Sequence, residues 1–112
     1  MRIVLSANPT DPLLGREYVD EDPEGEFVAT PDGAVVYRHP VAGQMFANNS
    51  RTSFLECVRA WDRYVARVSP IKNEAAQLHV LEELRRDLEA QGALRADSFW
   101  SAILGQAVEG NL

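Results

Sequence analysis

Apolar and polar positions change their rhythm halfway along the chain. Up to about residue 50, short apolar groups are separated by turn formers. Beyond it, apolar side chains recur every three or four residues, the spacing of amphipathic helices. Arg2 to Ala7 reads as a short strand, ended by Asn8-Pro9-Thr10-Asp11-Pro12, whose prolines fix φ and lack the N–H that a central strand needs. Phe27-Val28-Ala29 and Ala34-Val35-Val36-Tyr37 flank Thr30-Pro31-Asp32-Gly33. Asp-Gly between β-formers predicts a hairpin, because glycine supplies the positive φ of a tight turn. His39-Pro40 closes the second strand, and Val41 to Ala47 gives one more before Asn48-Asn49-Ser50. Between these segments Glu17 to Glu26 packs six acids around Pro23 and Gly25, a composition that predicts an exposed loop.

The second half predicts three helices. The first covers about Ser53 to Val68, with Phe54, Val58, Trp61, Val65 and Val68 on one face, widened by Leu55 and Cys57. Ser53 and Glu56 have capping-box spacing, and Ser69-Pro70 stops the helix. The second covers about Asn73 to Gln91, with Leu78, Leu81, Leu84 and Leu88 as its stripe, a possible Glu82–Arg86 pair and Gly92 as its C-terminal cap. The third starts at Asp97 as N-cap and runs to about Val108 on Phe99, Trp100, Ile103, Leu104 and Ala107. Strands followed by helices imply an α+β fold: a single domain, 1–112, whose strand-rich half (1–50) forms a small antiparallel sheet packed against three helices of the second half (51–112).

Composition narrows the function. The 46% hydrophobic and 25% charged content is that of a globular protein. A net charge of −6 is unevenly placed: residues 1–50 hold three basic and eight acidic side chains, residues 51–112 eight and nine. A negative field disfavours phosphate backbones, so direct nucleic-acid binding is not expected, and it speeds encounter with a basic partner. One cysteine, Cys57, excludes an internal disulfide; neither a signal peptide nor a membrane span is readable, so a cytoplasmic location is expected.

Candidate chemistry is sparse. His39 and His79 are isolated, and no His-x-x-x-His or Cys-x-x-Cys spacing is present, so neither a metal nor a cofactor is expected. The Gly-x-Ser-x-Gly, phosphate-loop and dinucleotide motifs are absent, and no catalytic residue is assigned. Cys57 reads as a buried thiol and both tryptophans as core. Asn48-Asn49-Ser50 matches a glycosylation sequon, without meaning in the absence of a secretory signal. The acidic segment is the candidate binding feature, with Glu17, Asp20, Glu21, Asp22, Glu24 and Glu26 as partner-binding residues.

Two stretches carry a family resemblance. Asn49-Ser50-Arg51-Thr52-Ser53-Phe54-Leu55-Glu56-Cys57 resembles the Asn-Ser-(Ser/Thr)-x-x-x-Phe-Leu opening of a helix in SUKH-superfamily immunity proteins. Ala96-Asp97-Ser98-Phe99-Trp100, preceded by Leu-Arg-Arg-Asp-Leu and followed by Ile103-Leu104-Gly105-Gln106, resembles the last helix of the subgroup common in actinobacteria. Val35-Val36-Tyr37 is similar to a strand of that family. The resemblance spans roughly residues 14–109. It implies an α+β domain that binds and neutralises a co-encoded bacterial protein toxin with a basic surface, often a nuclease or deaminase, without catalysis of its own. Family members usually carry helical sequence before the sheet, so the resemblance implies a shortened member with an uncovered strand edge, open to a homodimer or to a strand-adding partner. The rival expectation is a structural or regulatory subunit of a larger assembly.

Overall fold

The computed structural model describes residues 1–8 and 12–110. Five strands, β1 (Arg2–Leu5), β2 (Leu13–Val19), β3 (Asp22–Ala29), β4 (Val35–His39) and β5 (Gly43–Asn48), precede three helices, α1 (Arg51–Val68), α2 (Glu74–Ala90) and α3 (Phe99–Val108). The strands form one antiparallel meander in chain order, so each pairs with its sequence neighbours. The predicted α+β arrangement is what the chain adopts, with a larger sheet than the sequence suggests. The turn expected at 8–12 falls mostly on residues 9–11, outside the described residues. The first strand ends at Leu5, two residues early.

The register explains which face is which. Gly15 lies opposite Phe27, and Phe27 opposite Tyr37, so these share a face; Arg16, Glu26, Arg38 and Gln44 oppose one another on the other. Phe27 and Val35 are fully buried and Tyr37 nearly so, whereas Arg16 and Arg38 are exposed. The helices cover the first face only. Phe27 anchors the joint: its ring centroid lies 5.2 Å from Tyr37, 4.9 Å from Phe54 on α1 and 4.8 Å from Phe99 on α3. Aromatic contacts of this kind add about 0.5–1.5 kcal/mol each beyond burial. The Trp61 indole N–H donates to the Met1 carbonyl at 3.0 Å, tying α1 to the start of β1.

Two of the three helices, α1 and α3, are capped at residues other than the predicted ones. Ser50, not Ser53, caps α1, its Oγ accepting from the Ser53 N–H at 3.1 Å. Ser53 lies inside the first turn and is buried, and Glu56 pairs with Arg59 at 2.6 Å instead of closing a capping box. Asn73, where the second helix was expected to begin, is the N-cap of α2. Ser98, not Asp97, caps α3; Asp97 adopts φ 60°, a left-handed conformation that aspartate tolerates. Gly92 after α2 has φ 66°, as its capping role requires. Glu82 meets Arg86 at 3.6 Å but is held more closely by Arg85 at 2.6 Å.

The helical stripes fill the core over only part of their length. Phe54, Cys57, Val58 and Trp61 of α1, and Leu84 and Leu88 of α2, are buried. Val65 and Leu78 are exposed near the α1–α2 turn, and Leu78 lines an open groove there with Val108. Arg63–Asp87 and Arg67–Glu83 pairs lace the two helices outside it.

A polar cluster sits at the centre of this packing. Asn48, fully buried at the end of β5, donates from Nδ2 to Ser53 Oγ at 3.0 Å and to Cys57 Sγ at 3.3 Å. Its Oδ1 accepts from the Trp100 indole N–H at 2.8 Å. Ser53 Oγ donates onward to the Gln91 carbonyl at 3.1 Å. One side chain thus joins the sheet to all three helical segments, with every member satisfied. It also removes Asn48 from consideration as a sequon.

Candidate functional site

The segment expected to be an exposed acidic loop is a β-hairpin. β2 and β3 pair around a tight turn at Asp20-Glu21, in which Asp20 takes a φ of 55°. Next to Pro23 the register shifts between Glu17 and Tyr18, leaving Glu24 as the extra residue of a bulge in β3. The acids alternate with the pleat, so their composition resembles a loop while their geometry is that of strands.

The hairpin sends the six candidate residues to three environments. Asp20, Glu21 and Asp22 are exposed together at its tip. Glu26 lies on the uncovered face, 3.8 Å from Arg16 and 3.5 Å from Arg38. Glu17 points the opposite way and is 6% exposed, accepting a 2.5 Å hydrogen bond from the Tyr37 hydroxyl. Glu24 meets His39 Nε2 at 3.4 Å. His39 Nδ1 accepts from the backbone N–H groups of Val41 and Ala42, both at 3.0 Å, which makes Nε2 the donor to Glu24 in the neutral ring. Glu17 therefore does structural work on the buried face, while Glu24, its side chain 39% exposed, is tied to His39 at the end of the sheet, and neither joins the acids of the tip.

Gly25 explains how Tyr37 reaches Glu17. A Cβ at this position would stand 2.5 Å from the Tyr37 ring, so only glycine lets the ring lie across β3. Burial first, then the hydrogen bond to Glu17 and the charges of Glu17 and Glu24, push the Tyr37 phenol above its ordinary range. Tyr37 thus stays a protonated donor.

The remaining reactive side chains are quiet. Cys57 is fully buried, and burial pushes its thiol up to about 11 even though the Asn48 hydrogen bond works the other way. His79 is exposed and pairs with Glu83 at 3.1 Å. Among the described residues no group of three or more His, Cys, Asp or Glu is placed to hold a metal ion.

What sequence reading missed is the uncovered face itself. An open groove of about 470 Å³ runs over its hairpin end, lined by Arg16, Pro23, Glu26, Arg38 and Pro40 among others. Strand parity was the available signal: Arg16 and Arg38 each lie one residue from an inward-facing aromatic or glycine position. Reading residues 17–26 as a loop erased the parity of β2 and β3.

Comparison with protein-family models, with curated proteins and with solved structures finds no match for this chain. Among the described residues no helix is long and apolar enough to cross a membrane.

Proposed function

We propose that this chain is a recognition domain without catalysis of its own, an immunity protein that binds and neutralises a bacterial protein toxin in the cytoplasm, probing it with the acidic tip of the β2–β3 hairpin. The observation that carries the reading is the exposed cluster of Asp20, Glu21 and Asp22 on a rigid two-stranded support. Three carboxylates held together on a hairpin attract a basic surface such as the substrate cleft of an enzyme acting on nucleic acid. The short family-like stretches around Asn49–Cys57 and Ala96–Trp100 support the same reading. In the fold they form the opening of α1 and the N-cap of α3, which are structural positions.

Rescue tests it. Co-expression with a toxin module encoded in a neighbouring reading frame should restore growth, and failure to rescue any such module refutes the immunity reading. With a rescuing toxin in hand, Asp20→Asn/Glu21→Gln/Asp22→Asn should slow association about tenfold or more at low salt and flatten its salt dependence. Unchanged association kinetics would remove the tip from recognition while leaving rescue standing. A second reading, an obligate subunit, is favoured by Leu78 and Val108, 59% and 65% exposed beside the groove at the helix ends. It predicts self-association of the isolated chain, whereas an immunity protein stays monodisperse.

A further inference from the structure

The three basic side chains among the first fifty residues, Arg2, Arg16 and Arg38, all stand on the sheet face that the helices leave uncovered. Arg95 joins them from the α2–α3 connection, its guanidinium 4.0 Å from the Phe46 ring centroid. Arg16 and Arg38 share the groove with the carboxylates of Glu26 and, at its hairpin end, Glu24, while Arg2 and Arg95 lie over Tyr18 and Phe46. The face is therefore a positive island on a chain of net charge −6.

Arg16 and Arg38 are poised to take a further carboxylate. Each meets Glu26 through a single nitrogen, at 3.8 Å and 3.5 Å, and each side chain is 51% exposed. A bidentate guanidinium–carboxylate pair uses two parallel hydrogen bonds near 2.8 Å, to order of magnitude, so the Glu26 contacts leave most of both forks to solvent. Beside this charged row runs an apolar one: Val28 opposite Val36, and Val36 opposite Phe46, all half-buried. Charged and apolar rows lie two residues apart along each strand. That offset matches an acidic side chain and an apolar one on the same side of a protein segment.

We propose that the uncovered sheet face is a second recognition surface, which takes an acidic, partly apolar protein segment with its carboxylate between Arg16 and Arg38. Nucleic acid fits this face poorly. Its two rings are already capped by cations, Tyr18 by Arg2 at 5.2 Å and Phe46 by Arg95, so they offer no free platform for base stacking. The surface uses residues other than the tip and does not require the partner to be a toxin.

The test is an amide-resonance titration of the ¹⁵N-labelled protein with a blocked amphipathic peptide of glutamate and leucine. Its lysine counterpart and a single-stranded DNA oligonucleotide serve as comparison probes. The glutamate peptide should move the amides of Arg16, Glu26, Val36 and Arg38. Arg16→Gln/Arg38→Gln should weaken it about tenfold or more, and Glu26→Gln, which removes the competing carboxylate, should tighten it. Far-ultraviolet dichroism confirms that each variant is folded. Asp20→Asn/Glu21→Gln/Asp22→Asn should bind the glutamate peptide as the wild type does, which keeps this outcome separate from that of the hairpin tip. Shifts confined to other surfaces, equal binding of the lysine peptide, tighter binding of DNA, or a Glu26→Gln variant that binds more weakly would each overturn the proposal.

Discussion

Asn48→Ala is the substitution on which the account of the fold turns. The wild-type carboxamide makes three buried hydrogen bonds, to Ser53, Cys57 and Trp100. Alanine leaves the Trp100 indole N–H without an acceptor at a site where the ring is fully buried. An orphaned buried donor costs about 1–3 kcal/mol. Ser53 keeps its bond to the Gln91 carbonyl and loses only the donor to its oxygen, a smaller penalty. The space left by the carboxamide adds a cavity contribution, bringing the total to about 3–5 kcal/mol. Against a domain stability of about 5–15 kcal/mol that is a large fraction. Urea unfolding followed by tryptophan fluorescence and by dichroism should show the midpoint falling by about 1 M or more at unchanged m. In a Trp100→Phe background, where no indole N–H remains to be orphaned, the same substitution should cost about 1–2 kcal/mol less. A loss below about 1 kcal/mol, or a cycle with no coupling, would refute the role assigned to the cluster.

Two further predictions concern titratable groups. Cys57 should resist alkylation at pH 8 in the native protein and react promptly in urea, since it is buried and its thiol is pushed up to about 11. Because the unfolded chain ionises first, wild-type stability should fall as pH climbs through 9 toward 11 relative to Cys57→Ala; parallel curves would contradict this. Asp32, in the β3–β4 turn, is held below the ordinary aspartate value by the Thr30 hydroxyl and the Ala34 N–H. Its contribution is therefore present above the unfolded value and lost as pH falls through the lower folded one. Asp32→Asn should be less stable than the wild type at neutral pH and indistinguishable from it in strong acid, as thermal unfolding across pH would show.

Much of the architecture was legible because burial and periodicity agree along most of the chain. Phe54, Val58 and Trp61 on α1, and Phe99, Trp100 and Ile103 on α3, are core where their spacing places them. The β3–β4 turn follows from Asp32-Gly33, and Gly33 has φ 92°. The reading failed where one face of the sheet meets solvent. Glu17, Gly25 and Phe27 all face inward, yet Glu17 and Gly25 are not apolar, because Tyr37 supplies the bulk above Gly25 and a hydrogen bond to Glu17. A hydrophobicity pattern cannot register a carboxylate satisfied by a tyrosine one strand away from its neighbour. The caps were misplaced for a related reason: Ser50, Ser53, Ser98 and Asp97 all satisfy the local rule. At α1 Ser53 is drawn to Asn48, and at α3 the Ser98 hydroxyl is held by the Ala93 carbonyl, contacts that form only in three dimensions. The six acids were grouped by sequence proximity, and the pleat then divided them.

This division separates what holds the fold from what is offered to a partner. The side chains of the buried face are locked by one another: Tyr37 needs Gly25 and Glu17, and Asn48 needs Ser53 and Trp100. Changing any of them leaves a clash, a void or an orphaned polar atom. Arg16, Glu26 and Arg38 are each more than 40% exposed and joined only by long ion pairs, so their substitution should move stability by less than about 1 kcal/mol. The hairpin tip is equally free of packing duties. A surface whose charges are not spent on stability can still carry a dense and specific arrangement of them: cations in a register-matched row, acids gathered at one end. Binding that changes with these residues while the unfolding midpoint stays fixed would therefore locate recognition on the uncovered face and the tip, independently of any effect through the core.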